Sequence, residues 1–209
     1  KKLESDFIPR LEKYERHEEI LAGRNNFCKT DTDATFMRMK EDHMRNGQLK
    51  PGYNIQMGTH KQFILGYSLH RRAGDSGCLK EHLEKFKLWL GRLPKNLVAD
   101  AGYGSEENYS YLEEKQVTAY VKDSRFHYER RRNYKKKHPY RAENFLYHPE
   151  VDEYECSQGK RLKYEYTIPY RSDNGYLSRR HIYECEDCSQ CPVKTACTRA
   201  RNNRQIQIG

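Results

Sequence analysis

The chemistry-bearing residues that stand out first are five cysteines in the C-terminal part of the chain. Four of them follow the spacing C-x2-C-x2-C-x5-C: Cys185, Cys188, Cys191 and Cys197. Zinc in a structural site takes four soft ligands in a closed tetrahedron, and closely spaced cysteines in a polar segment supply such ligands. The last interval is longer than in the common ferredoxin run, which disfavours an iron–sulfur cluster. We therefore predict a structural Zn²⁺ site, in which Cys156 could serve as a fifth or substitute ligand.

Asp100 is the acid placed best for catalysis. It lies in the segment NLVADAGYGSEENY (96–109), where an apolar run that predicts a strand gives way to glycines and then to a predicted helix. The carboxyl ends of strands are where open α/β sheets present ligands and catalysts. A carboxylate at that place can also serve only to stabilise the turn, and the residues by themselves leave both interpretations open. Three other acids fit the ordinary role of capping a following helical stretch: Asp31, Asp33 and Asp75.

A dense basic run with interleaved tyrosines lies at 125–141. Such a run is either an exposed, solvated loop or a surface that neutralises phosphates, in which case Tyr128 and Tyr134 could stack on exposed bases. The candidate DNA-contacting residues are Arg125, Arg130, Arg131, Arg132, Lys135, Lys136, Lys137 and Arg141. Phosphate contacts position DNA without reading its sequence, so this run predicts affinity and not specificity.

The composition of the 209 residues indicates the same class of partner. A formal net charge of +9 favours an anionic partner, of which nucleic acid is the first candidate. The 17 tyrosines separate the chain from disordered proteins, which are poor in aromatic residues. No run approaches the roughly 18 apolar residues of a membrane span, so we predict no membrane partner. An odd number of cysteines, seven, with short spacings suits a reducing compartment, and we expect a cytoplasmic protein.

The patterns along the chain predict a mixed α/β sheet domain followed by a β-rich region. Periodicity and turn residues predict, in order, a helix at 3–22, a short helical stretch after Cys28, a hairpin of strands 52–59 and 62–69, a helix ending at Leu90, a strand at 96–101, a helix at 105–115 and a strand at 117–121. Beyond residue 123 the composition becomes basic, and short strands alternate with turns at 158–159 and 173–175. We therefore predict two domains, 1–122 and 123–209.

Two segments of the first domain, 29–76 and 97–115, resemble the central part of the DDE transposases of bacterial insertion sequences. The similarity extends from about 28 to 121, and the Asp-Ala-Gly-Tyr-Gly block that begins at Asp100 is its most specific part. The cysteine-bearing segment is similar to an insertion found in one branch of that family. The resemblance implies a ribonuclease H-like fold, here incomplete, with a basic, zinc-ribbon-like insertion at 123–209.

The resemblance also implies a mechanism. In the family, two aspartates and a glutamate hold two divalent ions, Mg²⁺ or Mn²⁺, over a scissile DNA phosphate, and Asp100 matches the second aspartate. The segments that match the first aspartate and the glutamate are not in this sequence, which begins at Lys1 without a methionine. We therefore expect a central fragment of a bacterial transposase that is inactive by itself.

The implied partners are the transposon ends and target DNA, and the intact enzyme could be a homo-oligomer. One alternative, from another class, is a non-catalytic, zinc-stabilised nucleic-acid-binding module derived from a domesticated or degenerate transposase. A weaker alternative is a nuclease of the same fold that does not join strands.

Overall fold

The structure is a computed structural model that describes residues 2–39, 41–172 and 174–209. The chain divides into two compact units, an N-terminal unit Lys1–Ser124 and a C-terminal unit Arg125–Gly209. The first unit contains both helices and strands, and the chain as a whole has the mixed α/β character that the sequence predicts.

The N-terminal unit combines three longer helices with paired strands. Its elements are a π-helical turn Leu3–Phe7, α1 (Ile8–Leu21), β1 (Thr35–Arg38), β2 (Leu49–Gly52), β3 (Asn54–His60), β4 (Phe63–His70), α2 (Leu79–Leu90), β5 (Asn96–Ala99), a 3₁₀ turn Ala101–Tyr103, α3 (Glu106–Glu114) and β6 (Thr118–Val121). Within the described residues the strands pair two by two, β1 with β2, β3 with β4 and β5 with β6, and only the last pair is parallel.

The predicted first helix forms, but none of its residues is buried. Most of its apolar side chains are exposed, and Leu11 and Tyr14 are each 58% exposed. The helix ends at Ala22, which adopts the left-handed conformation with φ 46°. Arg24 then binds the exposed end of the helix, because its Nε donates to the carbonyl oxygen of Leu21 at 3.0 Å. Periodicity therefore predicts this helix correctly, whereas packing within the unit leaves its apolar face uncovered.

The short helical stretch predicted after Cys28 is wrong, because this segment contains strand β1. Asp31 and Asp33 form a turn in which Asp31 Oδ1 accepts the backbone N–H of Asp33 at 3.2 Å. Thr35 and Met37 then alternate into the interior while the strand pairs with β2. This period-2 alternation of burial prevails over local helix propensity, because strand β1 pairs with residues that lie 11 to 17 positions further along the chain.

The β3–β4 hairpin follows the prediction closely. Its two-residue turn is Lys61-Gln62, with φ values of 46° and 70°, as a type I′ turn requires. Gly58 and Gly66 are paired across the hairpin, and a Cβ atom on either glycine would overlap the rings of Phe86 or Trp89 of α2. The glycines thus let the aromatic side chains of α2 pack directly on the sheet backbone.

Helix α2 buries its apolar stripe against α3. Leu79 and Leu83, each 3% exposed, form a core with Tyr111, Leu112 and Val117. Leu90, predicted to continue this stripe, is 47% exposed. Each well-buried leucine of this kind contributes about 1.5–3 kcal/mol of transfer free energy.

The β5–α3–β6 segment positions Asp100. Ser105 caps α3 as predicted, because its hydroxyl accepts the backbone N–H of Asn108 at 3.2 Å. Gln116 takes a positive φ of 55° directly after the helix, and β6 then runs parallel to β5. The carboxyl ends of β5 and β6 therefore lie at the same edge of this strand pair, with Asp100 directly after β5.

The C-terminal unit is built on an antiparallel sheet. Its elements are α4 (Phe126–Glu129), α5 (Tyr134–Lys137), a 3₁₀ turn Ala142–Asn144, β7 (Leu146–His148), β8 (Glu153–Glu155), β9 (Arg161–Arg171), β10 (Leu177–Cys185), α6 (Lys194–Cys197) and β11 (Gln205–Ile208). In the described residues these strands form a five-stranded sheet in the order β11-β10-β9-β8-β7. Leu162, Tyr183 and Ile206 form its core together with Phe145 and two cysteines. Of the predicted turn at 173–175, Asp173 lies outside the described residues.

Candidate functional sites

The Asp100 side chain is exposed at the end of β5. Its Oδ1 accepts the backbone N–H of Gly102 at 2.8 Å and so caps the 3₁₀ turn that follows. The turn-stabilising role considered from the sequence is therefore real. The hydrogen bond to Gly102 uses only one of the two carboxylate oxygens, and the side chain lies at an open sheet edge. The turn-stabilising role is therefore compatible with ion binding by Asp100.

A second carboxylate, Asp75, approaches the same place. A Cβ atom built on Gly102 would lie 3.0 Å from Asp100 Oδ1 and 3.3 Å from Asp75 Oδ2. Asp75 was expected to cap α2, but that helix begins at Leu79. Its N-cap residue is Cys78, whose side chain makes no capping hydrogen bond. The Asp75 carboxylate turns toward β3 instead, so two acids that lie 25 positions apart in the sequence converge on one turn.

Two amides of β3 hold Asp75 in this position. Asn54 Nδ2 and Gln56 Nε2 donate to Asp75 Oδ1 at 2.8 and 3.0 Å. The sequence signal that could have revealed this pair is the Asn-x-Gln spacing within a strand, because residues two apart lie on the same face. Gln56 is only 2% exposed, so these hydrogen bonds replace water for a buried amide.

The same network extends to the turn that carries Asp100. The Tyr103 hydroxyl donates to Gln56 Oε1. Burial, together with the smaller effect of the negative charges of Asp75 and Asp100, raises the pKa of Tyr103 to about 12. Asn108 is 2% exposed, and its Nδ2 donates to the carbonyl oxygens of Ser76 and Tyr103 at 2.8 and 2.7 Å. Helix α3 thereby holds both acid-bearing loops, and the carboxylates are oriented before any ligand binds.

The other two candidate acids, Asp31 and Asp33, make structural contacts. The Tyr53 hydroxyl donates to Asp31 Oδ2 at 2.8 Å, and this hydrogen bond is the main cause that lowers the pKa of Asp31. Asp33 forms an ion pair with Arg71 at 2.6 Å. Across the described residues, no group of three or more His, Cys, Asp or Glu side chains has an arrangement that could hold a metal ion. The Asp75–Asp100 pair is therefore at most part of a metal centre.

The five C-terminal cysteines line one small cavity of about 20 Å³. They are Cys156, Cys185, Cys188, Cys191 and Cys197, and all are free thiols. The cavity can hold about one water-sized particle. The fold therefore brings together every cysteine that the spacing singled out, including Cys156, which lies 29 positions before Cys185 in the sequence.

The sulfur atoms in this cavity have different environments. Cys156 and Cys188 each accept a backbone N–H, from Gln158 and Arg204 respectively, with N–S distances of 3.4 Å. Cys185, by contrast, is 2% exposed, and its Sγ lies 3.9 Å from the carbonyl oxygen of Asp187, to which it donates. Burial raises the pKa of Cys185 to about 12. Acceptor character suits a metal-binding thiolate, whereas donor character suits a packed thiol.

Positive charge accompanies the cysteines. Arg204 lines the cavity, and among the described residues its Nε is buried without a hydrogen-bond partner. Burial raises the pKa of Cys197, the Arg204 charge opposes this, and Cys156, Cys188 and Cys191 add to the increase. The donor set thus fits zinc by its chemistry, since four thiolates on Zn²⁺ leave a net negative charge that an arginine can balance. Among the described residues the thiols line one cavity, but their arrangement does not have the geometry of a metal site.

The basic run folds into two short helical turns, and its members differ in role. Arg125 Nε forms an ion pair with Glu129 at 3.1 Å, and its Nη2 contacts Glu143. Arg141 lies 3.6 Å from Glu143. Burial alone would raise the pKa of Glu143, but hydrogen bonds led by the one from Tyr134 lower it to about 2. Arg125 and Arg141 therefore stabilise this fold, which reduces their availability for phosphate.

The prediction that Tyr134 stacks on bases is wrong, because Tyr134 is 4% exposed. Tyr134 and residues near it line an open cavity of about 270 Å³. The lining residues are Tyr128, Arg131, Arg132, Asn133, Tyr134, Lys137 and His138. The Tyr128 hydroxyl and His138 Nε2 are hydrogen bonded at 2.5 Å, and Arg131 lies over the Tyr128 ring at 5.4 Å. Cationic groups around an open cavity of this kind suit an anionic ligand such as phosphate.

No helix among the described residues combines the length and apolar character that crossing a bilayer demands. In comparisons with known proteins, the family model described as "Transposase DDE domain" matches residues 25–206. Searches of curated proteins and of solved structures found no match. The matched segment includes Asp75, Asp100 and all five cysteines of the small cavity.

Proposed function

Because the chain belongs to the transposase DDE domain family, we propose that it is the central part of the ribonuclease H-like catalytic core of a DNA transposase. In this proposal Asp100 is one ligand of a Mg²⁺ or Mn²⁺ centre. Such ions, when bound, activate an attacking hydroxyl and stabilise the leaving oxygen of an in-line phosphoryl displacement. The contribution of Asp100 is an oriented, hard oxygen ligand at a site open to a DNA phosphate.

The observation that carries the proposal is the convergence of Asp75 and the exposed Asp100 on one turn at a sheet edge. The amides of Asn54 and the buried Gln56 hold Asp75, and the backbone N–H of Gly102 holds Asp100. A preorganised carboxylate loses little freedom when it binds an ion, so its orientation favours catalysis. Of the family's three catalytic acids, Asp100 is the one that this sequence matches. We accordingly propose that the 209 residues are inactive alone and that the remaining acids come from other segments of the parent protein.

The test of Asp100 is a DNA-cleavage assay with the parent transposase on its end-sequence DNA. Asp100→Asn should reduce kcat by more than the roughly 10–100-fold that loss of an outer-shell partner costs. The matched control is Asp6→Asn, a surface acid that pairs with Arg10 at 2.6 Å, and it should leave cleavage unchanged. Cleavage retained by Asp100→Asn in both Mg²⁺ and Mn²⁺ would remove Asp100 from the mechanism.

For the C-terminal unit we propose a zinc-ribbon-like insertion that grips DNA. The backbone N–H donors support Cys156 and Cys188 as ligands, and we propose Cys191 and Cys197, which line the same cavity, as the other two. The sulfur environment of Cys185 supports a packed thiol, although the sequence spacing placed it first in the set. The proposed partner is DNA at the transposon ends and target, contacted by the cationic residues around the 270 Å³ cavity. A cytoplasmic location and a homo-oligomeric parent enzyme complete this proposal.

A second candidate function is a non-catalytic, zinc-stabilised DNA-binding module, and it is favoured by the cationic residues that surround the open 270 Å³ cavity of the C-terminal unit. Such a module would contact DNA through these residues and would need no carboxylate centre at Asp100. The two proposals differ in the expected effect of Asp100→Asn. If the chain is a binding module, its DNA binding depends on neither Asp100 nor Mg²⁺. If it is part of an enzyme, the substitution abolishes Mg²⁺ binding and cleavage together.

A further inference from the structure

The longest hairpin of the C-terminal unit extends beyond its sheet. Strand β8 pairs with β9 from Arg161 to Lys163, and β11 pairs with β10 from His181 to Glu184. In the described residues, positions 168–171 and 177–180 are paired with one another and with no third strand, whereas Thr167 pairs with His181, which also pairs with Ile208 of β11. The distal part of the hairpin is therefore a two-stranded ribbon. One of its faces is exposed, and the other, which carries Ile168 and Ser178, is half-buried.

One face of this ribbon is basic. The register places Arg171 opposite Leu177, Arg179 opposite Pro169 and His181 opposite Thr167. Directly opposed residues of an antiparallel pair lie on the same face, so both arginines belong to one surface together with His181. We call this surface the ribbon face and define it by Thr167, Pro169, Arg171, Leu177, Arg179 and His181. Both arginines are exposed.

The base of the ribbon face is braced by side-chain hydrogen bonds. The Tyr164 hydroxyl and Thr167 Oγ1 lie 2.8 Å apart, and Thr167 Oγ1 and His181 Nδ1 lie 2.9 Å apart. Isolated two-stranded ribbons are marginal in water, and this brace connects the ribbon to the sheet. The ribbon face thus presents its arginines on a supported element.

The charge of the ribbon favours an anion, and its opposite face disfavours base stacking. Between Tyr166 and Tyr183 the sequence has three arginines and a single acid, Asp173. On the opposite face, the Arg180 guanidinium lies over the Tyr170 ring at 4.5 Å. The ring is therefore covered by a side chain of the same protein, which removes it as a platform for an unpaired base.

We propose that the ribbon face binds the backbone of duplex DNA, as a second contact surface separate from the basic run at 125–141. A two-stranded β-ribbon fits the major groove of B-DNA, and arginines at its edge can reach phosphates on either side. The inference rests on the proposed DNA-binding function and names a surface that the spacing of the basic residues did not indicate.

The test measures binding of the 209-residue chain to a fluorescent duplex of mixed sequence between 50 and 200 mM salt. The variant Arg171→Gln/Arg179→Gln should reduce the slope of log K against log[salt] by roughly 1.8, because each lost phosphate contact changes it by roughly 0.9. The matched control, Lys13→Gln/Arg16→Gln, removes two positive charges from the exposed surface of α1 and should leave the slope unchanged. Arg171→Lys/Arg179→Lys, which keeps both charges, should retain most of the slope.

The outcomes separate this inference from the proposed function. If the unsubstituted chain shows no salt-dependent binding, DNA binding by this chain fails as a whole and the inference fails with it. If the chain binds but the ribbon variant keeps the slope of the control, the inference alone is wrong. Tighter binding to a single strand of the same length than to the duplex would also overturn it. If Arg171→Gln/Arg179→Gln does not fold, Arg171→Lys/Arg179→Lys decides the question. Loss of the salt slope in this second variant, which keeps both charges, would contradict phosphate contact.

Discussion

The two candidate sites of this protein are held in opposite ways. Around Asp100 the orienting groups are neutral amides, those of Asn54, Gln56 and Asn108, and each makes hydrogen bonds at 2.7–3.0 Å. Around the cysteine cavity the groups are buried and half-buried thiols beside Arg204, whose Nε is buried with no hydrogen-bond partner among the described residues. The first site is held by a hydrogen-bond network, whereas the second contains a buried donor that this network does not satisfy.

Under the proposed function, this difference predicts which site depends on its ion for folding. A carboxylate held by satisfied amides keeps its orientation with or without an ion, so ion binding there adds function to a formed structure. Thiols must lose protons to bind metal, and the binding free energy then becomes part of the folding free energy. We therefore expect the C-terminal unit to require zinc and the N-terminal unit to be indifferent to it.

The largest expected effect comes from zinc removal. Chelation should release about one equivalent of zinc and abolish hydrogen-exchange protection in β9, β10 and β11, since a structural zinc contributes about 10–16 kcal/mol of apparent binding free energy. Protection in β5 and α3 should remain. The measurements are native mass spectrometry for the metal and hydrogen exchange for the strands, and less than about half an equivalent of zinc would contradict a structural site.

The matched pair Cys156→Ser and Cys185→Ser sharpens the assignment of ligands. Cys156→Ser should lose zinc, whereas Cys185→Ser should keep it and lose only packing, because Cys185 donates to a carbonyl oxygen and is buried in the core. The reverse result would restore the ligand set that the sequence spacing indicates.

A smaller effect is expected where the N-terminal network is broken. Asn108→Ala leaves the carbonyl oxygens of Ser76 and Tyr103 without their donor, which should cost about 1–3 kcal/mol of unfolding free energy. Urea denaturation measures the change. The control is Asn46, an exposed residue whose Oδ1 accepts the backbone N–H of Gln48 at 3.0 Å where water can replace it, and Asn46→Ala should remain within about 0.5 kcal/mol. Equal effects at both positions would show that Asn108 does not hold the two loops together.

The smallest effect concerns a buried pair of histidines between β4 and α2. Ser68 Oγ lies 2.7 Å from His70 Nε2 and 2.6 Å from His82 Nδ1, and Glu81 lies 3.2 Å from His70 Nδ1. Burial lowers the pKa of both histidines below 6.5, and the nearby Lys85 lowers both further, whereas Glu81 opposes this for His70. The unfolded chain therefore binds protons first as the pH falls.

The sign of the pH effect follows from that order. The contribution of the neutral histidines to stability is complete above about pH 6.5 and decreases as the pH falls through their lowered pKa values. Thermal unfolding at a series of pH values should show His82→Gln losing part of this dependence. His43→Gln, at a side chain that is 86% exposed, should retain it. A thermal midpoint that is flat from pH 7 to 5 would contradict the expected behaviour.

Much of the fold follows from local patterns. The β3–β4 hairpin, α2, the Ser105 cap of α3 and the parallel strands around Asp100 form where periodicity and turn residues predict them, because each depends on residues close together in sequence. Family resemblance identified Asp100 as the acid of interest. The prediction of a helix after Cys28 was wrong, because strand β1 forms by pairing with β2 and local helix propensity takes no account of a partner strand.

The sequence by itself determined the residue types: a strand-end carboxylate, closely spaced soft ligands and an excess of positive charge, which depend on composition and spacing alone. Tertiary structure decided which of them act together. It moved Asp75 from a helix cap to the neighbourhood of Asp100, buried Tyr134, and distinguished Cys185 from Cys156. The physical reason is that burial and hydrogen bonding depend on neighbours brought near by folding, and those neighbours lie tens of residues away along the chain.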